Sequence, residues 1–227
     1  MNLLAIDTAT EQCSVAIAAK GKTWSTVVPT ARSHADMILP MVDALLKESG
    51  VTLAQLDGLA FGRGPGSFTG VRIAVSVIQG LALARQLKVA QVSNLAAVAQ
   101  QAATLRQLTA GATILVCMDA RMQEVYWAQY RVSDTGLVDL IGAEQVSAPS
   151  AVDAAAPLIV GVGTGWRAYP ELALCYPGLP FDDALLPRAL EVAQLGLAEF
   201  QAGRATTAAE AQPVYLRDQV VALPRSV

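Results

Sequence analysis

A glycine-rich stretch at residues 61–72, Phe-Gly-Arg-Gly-Pro-Gly-Ser-Phe-Thr-Gly-Val-Arg, constrains the fold of this chain more than any other feature. A largely apolar run at 56–61 leads into it, and a long helical pattern rich in small residues, 67–87, follows it. A strand, a glycine turn and a helix in this order can direct backbone N–H groups at an anion. The same arrangement can instead let a helix pack tightly against a sheet. The first alternative predicts an enzyme and the second a binding partner.

The composition favours a folded protein that works with a partner. Hydrophobic residues make up 53% of the 227 residues and charged residues 15%, which excludes general disorder. So many apolar side chains leave some to be covered by another subunit. The formal net charge is −3, and no stretch concentrates Lys and Arg. An autonomous nucleic-acid binder is therefore not expected, and another protein would have to hold a nucleic-acid substrate.

Cysteine usage and hydropathy predict a reduced, soluble, cytoplasmic protein. Cys13, Cys117 and Cys175 are scattered, and no CxxC pair is present for zinc or redox chemistry. The first residues lack the basic segment of a signal peptide. The most apolar run, 73–84, is bounded by arginines and is too short to span a bilayer, so no membrane is expected.

The order of the predicted elements indicates two related α/β halves. Each half opens with an apolar strand that ends in an aspartate, Asp7 or Asp119, followed by a polar turn and a second strand. This recurrence places the junction near residues 106–112, with one lobe at 1–108 and the other at 109–227.

Three motifs resemble the TsaB (YeaZ) family. They are Leu4-Ala5-Ile6-Asp7-Thr8-Ala9-Thr10, Gly64-Pro65-Gly66-Ser67-Phe68-Thr69-Gly70-Val71-Arg72 and Pro213-Val214-Tyr215-Leu216-Arg217. The resemblance implies an α/β fold of two duplicated lobes, the actin/hexokinase/Hsp70-like (ASKHA) fold. It also implies a part in placing threonylcarbamoyl on adenosine 37 of tRNAs that read codons beginning with A.

The same resemblance implies a non-catalytic subunit. In that family TsaB pairs through its N-terminal helices with TsaD, the catalytic relative that carries the metal site, and the ATPase TsaE joins the pair. Alone, such a chain is expected to form a homodimer, to use no cofactor of its own, and to meet tRNA through the complex. Weak ATP or ADP binding is left open, and so is an alternative function as an ATP-dependent kinase-like enzyme or ATPase that uses Asp7.

The lone histidine, His34, indicates why metal chemistry is not expected. It stands where TsaD-like relatives have the second histidine of an HxxxH pair, but Thr30 occupies the first position. One imidazole without its partner is a poor transition-metal site, so no metal is expected, and a metal-dependent peptidase becomes the third and weakest hypothesis.

Two other groups of residues each carry two interpretations. Asp7, Thr8 and Thr10 form either a residual nucleotide site or a turn whose side chains satisfy backbone N–H groups. Gly64, Pro65 and Gly66 form either a phosphate cradle or a structural turn. The turn is favoured because the stretch lacks a P-loop ending and proline removes an N–H donor.

The two early helices carry the predicted interface. Apolar residues lie on more than one side of these helices, which indicates burial on more than one side. Some of these residues are internal core, and the sequence does not separate the two sets. The candidate interface residues are Met37, Ile38, Met41, Leu45, Val71, Ala74, Val75 and Ile78. Three arginines, Arg63, Arg72 and Arg217, are candidates for contacts with a partner or tRNA phosphate, with solvated or capping roles as alternatives.

Overall fold

The computed structural model describes residues 1–29, 33–155 and 157–217. Its first sheet has five strands in the order β3-β2-β1-β4-β5. Strand β1 pairs antiparallel with β2 and parallel with β4, and β5 continues the parallel part. The strands are β1 (Leu3–Asp7), β2 (Gln12–Ala19), β3 (Lys22–Pro29), β4 (Gly58–Gly62) and β5 (Lys88–Val92).

The second sheet repeats this topology. Its order is β10-β9-β6-β7-β8, in which β6 pairs antiparallel with β7 and parallel with β9. Each element of the first sheet therefore has a counterpart in the second, and the duplicated α/β lobes are those of the ASKHA fold. The strands are β6 (Thr113–Asp119), β7 (Val125–Val132), β8 (Val138–Ser147), β9 (Val160–Val162) and β10 (Phe181–Asp182).

Alternate side chains of the first sheet enter two different cores. Leu4 and Ile6 of β1 pack with the helices α1 (His34–Ser49) and α2 (Phe68–Arg85). Leu3 and Ala5 face the opposite side. Because side chains alternate across a strand, these uninterrupted apolar strands require cover on both faces.

Two helices cross between the lobes. Helix α3 (Asn94–Leu105) follows the first sheet in sequence but packs mainly on the second, and α6 (Ala189–Gln201) follows the second sheet but packs on β1, β2, β4 and β5 of the first. A division at 108/109 therefore separates the two sheets but not the two packed cores. The remaining helices, α4 (Gly165–Ala168) and α5 (Glu171–Cys175), are short and pack on the second lobe.

Helix α2 is long and apolar enough to cross a membrane by length and composition alone. Core helices of soluble proteins pass the same test. About a third of α2 is buried, including Val71, Ala74 and Ile78, in the core that it shares with the sheet and α1. Together with the α/β architecture, this packing is consistent with a soluble protein.

Candidate functional site

A cleft of about 730 Å³ opens between the lobes. Its walls come from matching places in the two halves, the β1–β2 turn at 9–11 and the end of β6 with the turn that follows it, at 118–121. The glycine turn lines it at 65–68, and the C-terminal segment 214–217 lies along it. The duplicated topology accounts for this placement, because the turn of the first hairpin in each lobe lies where the two lobes meet.

The aspartate of the first hairpin does not reach the cleft. Asp7 is fully buried, and its carboxylate accepts hydrogen bonds from the side-chain amide of Asn94 (2.5 Å) and the backbone N–H of Ala9 (3.2 Å). Burial raises the pKa of Asp7 to about 7, against the lowering effect of these two bonds. Thr8 is also buried, and its hydroxyl donates to the Gly70 carbonyl at 2.7 Å. Of the three residues, Thr10 alone lines the cleft. The contact between the Asp7 carboxylate and the Ala9 N–H is the one that the turn interpretation describes.

The aspartate of the second hairpin is engaged by neighbouring side chains. Asp119 accepts a hydrogen bond from the Tyr169 hydroxyl at 2.9 Å and forms an ion pair with Arg121 at 3.0 Å. The backbone N–H of Arg121 also donates to it, at 2.7 Å. Both carboxylates that the duplicated hairpins bring to the junction therefore already have protein partners.

The glycine turn makes close packing contacts. A Cβ on Gly70 would lie 2.0 Å from the Thr8 carbonyl oxygen, and one on Gly66 would lie 2.7 Å from that of Ala9. Gly64 has φ +102° and a Cβ there would lie 2.7 Å from the Val214 carbonyl oxygen. Pro65, which follows Gly64 through a cis peptide bond, is buried and borders the cleft.

Backbone donors of this turn are also engaged. The N–H of Gly64 donates to the Asn94 side chain at 2.7 Å, and that of Ser67 donates to the Ala9 carbonyl at 2.7 Å. These two N–H groups are directed at protein acceptors, as in a turn that packs a helix against a sheet.

His34 is the first residue of α1 and lines the cleft, with its Nε2 3.2 Å from the Gln12 carbonyl oxygen. Thr30, which occupies the first position of the HxxxH pattern, lies outside the described residues. Across residues 1–29, 33–155 and 157–217, no three His, Cys, Asp or Glu side chains come together in a way that could hold a metal ion.

Most of the candidate interface residues lie inside the chain's own core. Seven of the eight are buried, and Met37 is partly buried against the same core. The structure therefore places these side chains in the internal core, the part that the sequence did not separate from an interface. The seven are Ile38, Met41, Leu45, Val71, Ala74, Val75 and Ile78.

Other residues form the outer face of these helices. A shallow groove of about 430 Å³ runs along α2 beside the start of α1. Phe68 is 46% exposed at one end of α2, and Leu83 is 76% exposed at the other. We call this surface the α2 face; its groove is lined by Ala35, Phe68, Thr69, Arg72, Ile73, Ser76 and Val77.

A polar network between the lobes was missed from the sequence. Arg63 forms an ion pair with Glu144 of β8 at 3.0 Å, and the buried Tyr130 hydroxyl donates to the same carboxylate at 3.2 Å. Asn94, which joins Asp7 to Gly64, was missed as well. The Ser93-Asn94 pair after β5 was a recognisable helix start, and Ser93 does accept from the N–H groups of residues 95 and 96.

Comparisons with known proteins show which family this chain resembles. Residues 22–160 match the family described as TsaD, tRNA N6-adenosine threonylcarbamoyltransferase. The chain is 42% identical to the tRNA threonylcarbamoyladenosine biosynthesis protein TsaB of Escherichia coli (strain K12), over 97% of this chain and 96% of that protein. The TsaB protein of Haemophilus influenzae is 40% identical, over 97% and 95%. The solved structure of YeaZ from Pseudomonas aeruginosa is 43% identical, with a TM-score of 0.86 over 95% of this chain and 99% of that one.

Proposed function

Because the chain belongs to the TsaB (YeaZ) family of tRNA threonylcarbamoyladenosine biosynthesis proteins, we propose that it is a non-catalytic subunit of the transferring complex. The complex places threonylcarbamoyl on adenosine 37 of tRNAs that read codons beginning with A. This chain supports a TsaD-like catalytic subunit, and a TsaE-like ATPase joins them in the cytoplasm. The tRNA is reached through the complex.

The state of the two hairpin carboxylates carries the proposal. Phosphoryl transfer from ATP requires carboxylates that are free to hold magnesium. Asp7 is fully buried against Asn94, and Asp119 is paired with Arg121 and Tyr169. Freeing either carboxylate would break several hydrogen bonds, so this arrangement favours support of another catalyst over chemistry in this cleft.

The α2 face is the surface proposed for docking. Phe68 and Leu83 are largely exposed, and Ile73 and Val77 are half-buried between them. Gly80, on the same helix, has open space where a Cβ would lie, so a second helix could approach closely there. Alone, the chain would use this face for a homodimer and exchange its copy for the TsaD-like subunit.

Reconstitution tests the proposed function. Two reactions are compared, one with this chain and one without it. Each contains the TsaD-like and TsaE-like subunits, threonylcarbamoyl-adenylate and tRNA, and the modified adenosine formed is measured. We expect product only when the chain is present, and the Asp7→Asn variant should support the same yield because Asp7 does no chemistry. Normal product in the absence of the chain would overturn the proposal.

The kinase-like or ATPase alternative is tested by calorimetry. Thr10 and Ser67 still line the cleft, which leaves space and hydroxyl groups for weakly held ATP or ADP. We expect weak or no heat of binding with ATP and magnesium, and no hydrolysis. Tight binding together with hydrolysis that Asp7→Ala abolishes would favour the enzyme.

A further inference from the structure

Residues 213–217, which end the described part of the chain, run from one lobe to the other along the cleft. Upstream, the segment is fixed to the first lobe, where Gln79 donates to the Ala211 carbonyl at 2.8 Å and the Gln91 side chain accepts from the Gln212 N–H at 3.1 Å. The N–H of Val214 then donates to the Arg63 carbonyl at 2.8 Å. We call residues 213–217 the strap.

Tyr215 of the strap contacts the end of the α2 face. Its hydroxyl accepts a hydrogen bond from Arg72 Nε at 2.8 Å, and its ring lies 5.5 Å from the ring of Phe68. The guanidinium of Arg72 stacks over Phe68, 3.5 Å from the ring centroid. Phe68 and Arg72 both line the α2 groove, so Tyr215 holds two of its residues in place.

Arg217 fixes the other end of the strap to the second lobe. Its guanidinium donates to the Ala120 carbonyl at 3.1 Å and forms an ion pair with Glu124. Both partners belong to the β6–β7 turn, which follows Asp119 directly. The Arg217 side chain is 17% exposed and that of Glu124 is 36% exposed, so the pair is partly shielded from solvent.

We propose that the strap makes the α2 face depend on the second lobe, with Arg217 as the positioning residue. Arg217 holds the strap across the cleft, the strap presents Tyr215, and Tyr215 orders Phe68 and Arg72 for docking. A change at the β6–β7 turn, or in the angle between the lobes, would thus alter the α2 face, which the first lobe forms. This inference rests on the proposed docking role of the α2 face.

The test combines hydrogen exchange with a docking measurement on the full chain. Arg217→Ala and Glu124→Ala remove the two sides of the ion pair without touching α2. We expect each to speed exchange of the Val214 amide by about tenfold, as expected for loss of a charge-assisted bond that closes a local opening. Each should also weaken binding of the purified TsaD-like subunit several-fold while the melting temperature stays nearly constant. Tyr215→Phe keeps the ring but loses the hydrogen bond to Arg72. It should weaken docking without speeding hydrogen exchange at the Val214 amide.

Matched variants separate the outcomes. Arg204→Ala removes an exposed ion pair with Glu199 away from the strap and should change neither readout. Unchanged exchange in Arg217→Ala, or faster exchange with unchanged docking, would overturn the role of the strap. Ser76→Glu, on the α2 face itself, reports separately on the proposed function: if it leaves docking intact, the docking face is misplaced, whatever the strap does.

Discussion

Asn94 donates a hydrogen bond from its side-chain Nδ2 to Oδ2 of Asp7, at 2.5 Å, and accepts another from the Gly64 N–H through its Oδ1, at 2.7 Å. One amide thus ties the end of the first strand to the glycine turn. No lysine or arginine pairs with this carboxylate among the described residues. The group is therefore held by neutral donors in a site that excludes water.

The pH dependence of stability should report this burial. Burial raises the folded-state pKa of Asp7 from 3.8 to about 7, so between these values the folded chain holds a proton that the unfolded chain has lost. The Asp7 contribution to the free energy of unfolding should therefore fall as pH rises from about 4 to about 7, at ~1.4 kcal/mol per unit, and then level off. Denaturant titrations of wild type and Asp7→Asn over this range measure it.

The asparagine variant cannot ionise, so its stability relative to wild type should improve by ~2–4 kcal/mol between pH 4 and pH 8. Asp43→Asn is the matched control, because Asp43 is exposed and pairs with Lys47 on the surface of α1. Parallel pH profiles for Asp7→Asn and wild type would contradict the assignment.

Two glycines of α2 should respond oppositely to alanine. A Cβ at Gly70 would lie 2.0 Å from the backbone oxygen of Thr8, whereas one at Gly80 meets nothing within 4 Å. Gly70→Ala should lower the free energy of unfolding by ~1–3 kcal/mol or more through overpacking. Gly80→Ala should raise it by ~0.5–1 kcal/mol, because alanine favours a helix interior. Chemical denaturation measures the free energy of unfolding of the two variants. Equal changes in both would contradict the close approach of α2 to the first hairpin.

The ion pair between the lobes should contribute more to the stability of the fold than an ion pair on the surface does. Side chains of Arg63 and Glu144 are 23% and 7% exposed, compared with 62% and 29% for Arg204 and Glu199. Glu144→Ala would leave Arg63 and Tyr130 without their shared acceptor and should cost ~1–3 kcal/mol. Glu199→Ala should cost at most ~1 kcal/mol. Thermal unfolding measures the stability of both variants. A smaller loss of stability in Glu144→Ala than in Glu199→Ala would mean that the packing of the two lobes does not depend on the Arg63–Glu144 pair.

Strands and helices with a clear apolar period could be predicted from the sequence. The hairpins that open each half were found because an apolar run ends at Asp7 or Asp119 and a second run follows a short polar turn. Strand β8 was missed because it is an edge strand with mostly exposed or half-buried side chains, and Gly142 at φ +76° breaks its alternation. The exchange of α3 and α6 between the lobes depends on contacts far apart in sequence, which periodicity does not encode.

The candidate site could be predicted only as far as local sequence determines it. Hydrophobic pattern located the apolar side of α1 and α2 correctly, but that side packs on the chain's own sheet, as Ala74 and Ile78 show. The outer face mixes apolar residues such as Phe68 and Val77 with polar ones such as Ser76, so no regular hydrophobic period marks it. The burial of Asp7 depends on a residue 87 positions away, and that distance hid it from local reasoning.

Ser76 gives the sharpest test of the α2 face. It is exposed in the groove, whereas Val75 beside it is 6% exposed and packs in the core, so a charge at Val75 would disturb folding before it disturbed docking. Ser76→Glu should leave the melting temperature nearly unchanged and weaken both self-association and binding of the TsaD-like subunit by at least ~10-fold, because docking would bury an unpaired charge. Sedimentation velocity and titration calorimetry measure the two associations. Ser150→Glu, the same change at an exposed position on the second lobe, should alter neither. Equal behaviour of the two variants would place the docking surface elsewhere on the molecule.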